Sequence, residues 1–243
     1  MSSPFRSNFS TYVTFTIDAG QIASDSEIRD LIEGVKVRAM SKRQEPISRM
    51  GRPRAFDEEA ALDAAMKLFW ERGYEGTSMA DLAKAMNLNP PSIYAAFGNK
   101  ESLFELAAKR YAEGPAQYQA RALREPTLRE VILALFRNTV EFLTESGHPS
   151  GCMTLTGAMA CSVEANSAKE FMTEIRKQNE AGLKARLQLA RKSGELAADL
   201  NVDDYSRYLS TLLGGLSIQA ANGVSKAEMK RIADMALRHL GYR

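Results

Sequence analysis

Apolar side chains recur at three- and four-residue intervals through most of the chain after Asp57. This is the spacing of amphipathic helices, and one such stripe runs along Tyr205, Leu209, Leu212 and Leu216. Asp57 onward contains no convincing strand pattern, so we expect an all-α protein with about nine helices. The predicted helices cover residues 57–72, 78–86, 90–97, 100–114, 127–146, 152–165, 167–192, 203–222 and 225–241.

Several predicted helices begin with a recognisable start signal. A Ser or Thr followed three residues later by Glu forms a capping box, in which each side chain binds the other residue's backbone N–H. We expect three such boxes, at Thr127 and Glu130, at Ser167 and Glu170, and at Ser225 and Glu228.

The first 50 residues differ from the rest of the chain. Residues 11–17 alternate as a strand does, but no partner strand follows, so we expect residues 1–50 to form a largely disordered extension. Met40 and Met50 each precede a natural start for the domain, which gives the hypothesis that translation begins at one of them. The intact mass of the natively expressed protein tests this hypothesis.

Composition narrows the possible functions. Lys and Arg total 32 and Asp and Glu total 30, so a uniformly basic nucleic-acid binder is excluded. Two cysteines exclude a disulfide-dense scaffold, and no apolar run reaches the ~18 residues of a membrane span. With no signal peptide visible, we expect a soluble cytoplasmic protein that does not contact membranes.

The segment 77–97 is the most informative part of the chain. Thr77 or Ser78 can cap a first short helix, and Asn87 stands at a turn position that needs positive φ. Asn89 can then cap a second helix that begins with Pro90 and Pro91, whose missing N–H groups cost nothing at that position. Two short helices joined by a tight turn form a helix-turn-helix, whose second helix enters the major groove of DNA.

Four motifs in this region resemble the N-terminal domain of TetR/AcrR-type transcriptional regulators. They are Gly51–Asp57, Gly73–Ser78, Asp81–Ala83 and Ile93–Leu103. The resemblance implies a three-helix DNA-binding domain at 51–111, with the helix-turn-helix at about 77–97, and a C-terminal effector-binding and dimerisation domain at 112–243. It also implies a homodimeric regulator without cofactor, usually a repressor, that leaves a double-stranded DNA operator when a small-molecule effector binds.

The same resemblance suggests which residues meet DNA. Ser92 and Tyr94 occupy recognition-helix positions, and Lys100 matches a lysine that meets phosphate. The alternatives are that Tyr94 is a half-buried core aromatic residue and that Lys100 is a solvated surface lysine. Ala95 and Ala96 stand where many relatives have a polar aromatic residue or histidine. The complete set of predicted DNA contacts is Arg52, Arg54, Thr77, Ser78, Pro91, Ser92, Tyr94 and Lys100.

Charge is distributed unevenly around the helix-turn-helix. Residues 57–100 contain four basic and seven acidic residues, a net charge of −3, whereas 41–56 contain five basic and one acidic, a net charge of +4. We therefore expect Arg52 and Arg54, with Arg49, to form an arm that reaches phosphates or the minor groove. A solvated basic linker is the alternative.

The C-terminal helices contain an unusual run of small residues. Gly214 and Gly215 destabilise a helix interior unless another backbone approaches closely, which favours a helix contact between subunits. Tight packing within one subunit is the alternative. The predicted dimer interface contains Leu212, Gly214, Gly215, Leu216, Ile232 and Ala236.

The middle helices hold the effector pocket in proteins that this chain resembles, and an apolar pocket would suit a hydrophobic effector. The predicted lining residues are Phe104, Phe136, Phe142, Met153, Met159, Phe171 and Met172, with ordinary core packing as the alternative.

Cys152 carries a further hypothesis. Near a helix start it can act as a thiol sensor, and Cys161 lies nine residues further on; two buried structural thiols are the simpler interpretation. We expect no metal site, because the chain has two histidines. An all-α enzyme is a remote alternative, since the chain contains no phosphate-binding loop or nucleophile motif.

Overall fold

The computed structural model describes residues 56–159, 162 and 165–242. All regular secondary structure in these ranges is helical, which confirms the all-α prediction. The predicted extension, its strand-like segment and the arginines of the predicted arm lie outside the described residues. The helices are α1 Glu58–Arg72, α2 Met79–Met86, α3 Pro90–Phe97, α4 Lys100–Glu113, α5 Gln117–Ala122, α6 Leu128–Leu143, α7 Met153–Thr156, α8 Asn166–Lys192, α9 Val202–Ala221 and α10 Lys226–His239.

Two short helices account for the largest differences from the predicted pattern. The six-residue α5 was not predicted, because it lacks a side-chain cap and directly follows the end of α4. The helix predicted at 152–165 is too long: α7 ends at Thr156, and the backbone turns at Gly157. The Gly157 carbonyl there accepts a hydrogen bond from the Tyr74 N–H (2.7 Å).

The capping predictions have a mixed outcome. Thr127 and Ser225 form capping boxes with Glu130 and Glu228, as predicted. The box at Ser167 is wrong, because α8 begins one residue earlier, after Ala165, and has no side-chain cap. Glu170 instead accepts a hydrogen bond from the side chain of Asn166 (2.6 Å).

Helices α1 to α4 share one core around α1. Phe69 of α1 is fully buried, and its ring meets that of Phe104 of α4 edge to face, with centroids 5.1 Å apart. Leu82 of α2 and Ile93 of α3 are also fully buried. The helix-turn-helix is thus held on α1 and α4 by its apolar side chains.

Helices α5 to α10 form the rest of the described structure. Helix α6 packs against α5, α9 and α10, and α9 packs against α8. Leu209 of α9 and Met229 of α10 are fully buried. No described helix is long and apolar enough to cross a lipid bilayer.

Candidate nucleic-acid interface

The first helix of the helix-turn-helix starts at a complete capping box. The Ser78 hydroxyl accepts a hydrogen bond from the Asp81 N–H (3.1 Å), and the Asp81 carboxylate accepts one from the Ser78 N–H (3.0 Å). The Ser78 hydroxyl also donates to the Asp81 carboxylate (2.5 Å), and this bond, with the one from the Ser78 N–H, lowers the pKa of Asp81 below its ordinary value of 3.8. Ser78 is exposed, so its capping role leaves it accessible to a partner.

The turn between α2 and α3 has the predicted left-handed residue. Asn87 adopts φ 52°, the only positive φ among the described residues other than glycine. Its N–H donates to the Lys84 carbonyl (3.3 Å), and the next N–H, of Leu88, donates to Ala83 (3.0 Å). These two bonds end α2 and redirect the chain within a few residues.

The predicted recognition helix, α3, presents two different faces. Asn89 caps it by accepting from the Ser92 N–H (2.9 Å), and the two prolines occupy its first positions. Ile93 and Phe97 are buried against the rest of the domain. The opposite face is therefore turned away from the core and is free to meet a duplex.

That outer face carries three of the predicted DNA contacts. Pro91 is exposed, Ser92 is partly exposed, and Tyr94 is 52% exposed, so about half of the tyrosine is open to a partner. Ala95 beside them is exposed as well. Thr77 does not join this surface: it is fully buried, and its hydroxyl donates to the Gly73 carbonyl (2.7 Å).

Lys100 lies at the start of α4, behind an Asn99 cap. Its ammonium group sits 4.2 Å from the centroid of the Tyr74 ring, a cation–π contact. This contact positions the lysine near the turn that precedes α2. Lys100 as a whole residue is half-buried.

Contacts between the DNA-binding domain and the C-terminal domain were not predicted. The indole N–H of Trp70, at the end of α1, donates to the Gly151 carbonyl (3.0 Å) in a buried hydrogen bond. The Trp70 ring also stacks on His148, with centroids 4.6 Å apart. Glu75 accepts from the N–H of Ser162 (2.7 Å). The signal available in the sequence was the chain's single tryptophan, whereas the positive φ of Gly151 (+85°) is known only from the structure.

A second connection joins α1 to α4. Arg110 of α4 forms ion pairs with Asp63 and Glu59 of α1, and its Nη2 lies 3.0 Å from an Asp63 oxygen. The hydrogen bond from Arg110 lowers the pKa of Asp63 below 3.8. Because both helices belong to the core around α1, this pair fixes α4 against α1 within the DNA-binding domain.

The outer faces of α9 and α10 are unusually apolar. Tyr208, Ile218, Ile232 and Met235 are each between 41% and 54% exposed. A Cβ at Gly215 would meet nothing within 4 Å. Of the other predicted interface residues, Leu212 and Ala236 are half-buried, a Cβ at Gly214 would lie 3.6 Å from Leu155, and Leu216 belongs to the subunit's own core.

The predicted effector-lining residues do not border the cavity that lies among α4, α5, α7 and α8. Phe136, Met153 and Met172 are fully buried, and Phe104 belongs to the core of the DNA-binding domain. Phe142 stacks on Trp70 and Tyr118. Phe171 is half-buried near Lys109, and Met159 is 60% exposed.

The cavity has a volume of about 50 Å³. Its polar lining consists of Gln117, Gln119, Thr154, Gln178 and Asn179, and its apolar lining includes Leu123 and Ile175. The sequence reasoning missed it because aromatic residues and methionines were taken as the signal, whereas amides line this space.

Cys152 is buried at the start of α7. The Tyr111 hydroxyl donates to its Sγ at 3.4 Å, and burial raises the pKa of Tyr111 well above its ordinary value. Cys161 lies outside the described residues.

A helix-turn-helix that packs on α1 and α4 and leaves one face of its second helix exposed is the architecture of a class of DNA-binding proteins. Residues 61–107 match the family described as bacterial regulatory proteins, tetR family. The chain is 34% identical over 190 residues to the HTH-type transcriptional repressor ComR of Escherichia coli K12, covering 77% of this chain and 90% of ComR. It is 28% identical over 187 residues to the repressor BdcR of the same organism, covering 76% of this chain and 90% of BdcR.

Solved structures agree with this assignment. The TetR-family regulator CifR, a cysteine mutant complexed with 26-base-pair operator DNA, shares 37% identity and a TM-score of 0.74, covering 77% of this chain and 98% of CifR. The chain therefore belongs to the TetR family of DNA-binding transcription regulators.

Proposed function

We propose that the chain is a homodimeric repressor that binds an operator through α3 and is released when a small molecule occupies its C-terminal domain. The observation that carries the proposal is the division of α3 into a buried face and an exposed face with Pro91, Ser92 and Tyr94. The relatives ComR and BdcR, named as repressors, support the direction of regulation.

In this proposal the helix-turn-helix supplies shape and the flanking residues supply charge. Ser92 and the Tyr94 hydroxyl are within reach of base edges or phosphates, and Ala95 offers an apolar surface to a thymine methyl group. Ser78 and Lys100 meet phosphates at the edges of the groove. Because residues 57–100 have a net charge of −3, the basic arm with Arg52 and Arg54 provides most of the electrostatic attraction.

The dimer forms through α9 and α10 in this proposal. An exposed apolar surface on two neighbouring helices is unfavourable in water and is typical of a buried interface. The open space beside Gly215 allows the backbone of a second copy to approach closely. Dimerisation places two recognition helices at half-sites one helical turn apart.

Selection of bound fragments from a genomic library, followed by footprinting, tests DNA recognition. We expect Tyr94→Ala to weaken binding to the selected site by at least about tenfold, whereas Tyr94→Phe separates the hydroxyl from the ring. Ala substitution of Lys169, an exposed lysine of α8, is the matched surface control. Failure to select any fragment contradicts DNA recognition and revives the enzyme alternative.

Deletion of residues 1–54 tests the arm. We expect weaker operator binding and a flatter dependence of log affinity on log salt, since each lost phosphate contact reduces the slope by about 0.9. Unchanged affinity and slope contradict the arm and favour the solvated linker.

Sedimentation analysis of the full chain tests the dimer. We expect Ile218→Asp to favour the monomer, because Ile218 is exposed on the outer face of α9. Asp substitution of the exposed Ala198 is the control.

A thiol switch is the second candidate mechanism. Cys152 follows Gly151, the acceptor of the Trp70 bond, so oxidation of this thiol would act at the junction between the domains. Operator binding after peroxide treatment tests it. A switch is supported if peroxide abolishes operator binding by the wild-type protein but not by the Cys152→Ser protein. A structural thiol is supported if the two proteins respond equally.

A further inference from the structure

The partly buried guanidinium of Arg176 in α8, like the buried guanidinium of Arg186, donates hydrogen bonds to uncharged acceptors, but it is the one that lies beside the cavity. Its Nη1 donates to the Thr154 carbonyl (2.9 Å) and its Nη2 to the Thr173 hydroxyl (2.8 Å). Neither acceptor carries a charge, and none of the ion pairs between described residues includes Arg176. Arg110, by contrast, has two carboxylates. The charge of Arg176 is thus left without an acidic partner among the described residues.

Desolvation makes this arrangement unfavourable. Burial lowers the pKa of Arg176, because the charged form has lost part of its hydration. A partly buried charge is stabilised when an opposite charge with good hydrogen-bond geometry approaches it. A planar guanidinium presents paired donors that match the two oxygens of a carboxylate, as they also match a phosphate, and the apolar part of the cavity lining favours an anion with a short carbon chain.

The cavity described above lies beside this residue. Thr154, whose carbonyl binds Arg176, lines the cavity, as do Ile175, Gln178 and Asn179 from the same stretch of α8. The amide side chains offer hydrogen bonds, and Leu123 and Ile175 offer apolar contact. A small amphiphilic acid suits this cavity. Its carboxylate would meet the positive charge and the amide donors, and its carbon chain would contact the apolar lining.

We propose that this cavity binds a small monocarboxylate, with Arg176 as the anchor of its carboxylate group. The regulatory consequence of this inference rests on the proposed function, whereas the binding itself does not. At about 50 Å³ the cavity admits the carboxylate and a short chain.

A bound carboxylate would act on the DNA-binding domain through α7. Arg176 holds the middle of this four-residue helix at Thr154. The residues on either side of α7, Gly151 and Gly157, hold the end of α1 through Trp70 (3.0 Å) and Tyr74 (2.7 Å). A ligand that takes the guanidinium donors away from Thr154 therefore weakens the contacts that position α1 and the helix-turn-helix. The ligand favours the released state because it gains the bonds that Thr154 loses.

Direct binding to the full chain provides the first test. Thermal unfolding is followed with sodium salts of a monocarboxylate series from formate to hexanoate, with sodium chloride at equal concentration and the matched amides as controls. We expect at least one carboxylate to raise the midpoint temperature and its amide to leave it unchanged. No stabilisation by any carboxylate, or equal stabilisation by the amide, overturns the inference.

Variants of α8 assign the binding to Arg176. We expect Arg176→Gln to weaken the Kd of the active carboxylate by at least about tenfold. Gln substitution of Lys177, the adjacent exposed cation, is the matched control and should leave the Kd unchanged. Arg176→Lys keeps the charge and should retain part of the affinity, which provides a second measurement if the Gln variant does not fold. Equal affinity in all three variants overturns the inference.

Operator binding separates this inference from the proposed function. We expect the active carboxylate to weaken DNA binding by the wild-type protein and by the Lys177→Gln protein, but not by Arg176→Gln. If a carboxylate binds but the genomic selection yields no bound DNA fragment, the proposed function is contradicted and the anion site stands. DNA binding without carboxylate binding contradicts the anion site and leaves the repressor in place.

Discussion

The helix-turn-helix and the segment around α7 are held in place in opposite ways. Each helix from α2 to α4 begins at a residue whose side chain caps it, namely Ser78, Asn89 and Asn99. Helix α7 has four residues and no side-chain cap. It is positioned by residues far away in the chain, through the contacts of Gly151, Thr154 and Gly157.

This difference separates a unit whose helices are specified locally from a segment whose position is set by tertiary contacts. Local caps and a buried apolar face make the helix-turn-helix a stable unit that can present α3 without rearrangement. Residues 151–154 are buried, with Met153 fully buried, so the position of this segment depends on packing against distant helices rather than on local caps. The element best suited to transmit a change between the domains is therefore the one with the weakest local structure.

Removing the central long-range contact should have the largest effect. Trp70 is 3% exposed and packs against Tyr111, Phe142 and His148. We expect Trp70→Ala to lower the free energy of unfolding by about 3–5 kcal/mol, measured by urea denaturation. Tyr94→Ala on the exposed face of α3 is the control, with a change below about 0.5 kcal/mol. Equal effects at the two positions would mean that the α7 segment does not depend on Trp70.

Gly151 tests the close approach beside α7. A Cβ at this position would lie 3.1 Å from the Ala221 Cβ, and φ is +85°. We expect Gly151→Ala to destabilise the protein by about 2 kcal/mol through strain and overpacking. Gly223 has a similar φ of +81° but open space around it, so Gly223→Ala measures the strain alone. If both variants lose the same stability, crowding at Gly151 is unimportant.

Asn87 tests the local structure of the helix-turn-helix. Its φ of 52° is unfavourable for residues with a Cβ, less so for Asn. We expect Asn87→Ala to lower the free energy of unfolding by about 1 kcal/mol and Asn87→Gly to be neutral or stabilising. Asn222, exposed at the end of α9 with φ −81°, is the matched control, and its Ala variant should change stability little. A stable Asn87→Ala protein would contradict the role of the left-handed turn.

The smallest effect is expected from the capping box of α2 and should depend on pH. The pKa of Asp81 is lowered in the folded state, so its stabilising contribution is present above pH 3.8, its ordinary pKa, and is lost as pH falls through the folded value. We expect the urea midpoints of the wild type and Asp81→Asn to differ at pH 7 and to converge below pH 3.8. Asn substitution of exposed Asp199 should show no comparable pattern. If the two urea midpoints still differ at low pH, the loss of stability in Asp81→Asn comes from the altered side-chain geometry rather than from the lost charge.

Features were predicted correctly from the sequence when the interacting residues lie close together along the chain. Asn87, Asn89 and the boxes at Thr127 and Ser225 were predicted because each signal and its partner lie within four residues. The box at Ser167 was wrong although its pattern is identical, because the helix begins one residue earlier and leaves Ser167 inside it. A capping pattern therefore indicates the first residue of a helix only when tertiary packing also ends the preceding loop at that residue.

The residues of the candidate sites show the same dependence on separation along the chain. Exposure of Pro91 and Tyr94 followed from the helical period of Ile93 and Phe97, which turns the opposite side outward. Burial of Thr77 did not follow, because its environment is supplied by the turn at Gly73. The cavity beside Arg176 was also missed, since its lining comes from α4, α5, α7 and α8.

The sequence by itself determined the helical class, the helix-turn-helix and the uneven charge around it, because periodicity, caps and local charge are properties of neighbouring residues. Only the tertiary structure decided that Trp70 holds Gly151, that α7 is short and that Arg176 faces no acidic partner among the described residues. These features depend on residues 22 to 81 positions apart, whose contacts form when the helices pack and cannot be specified by any local pattern.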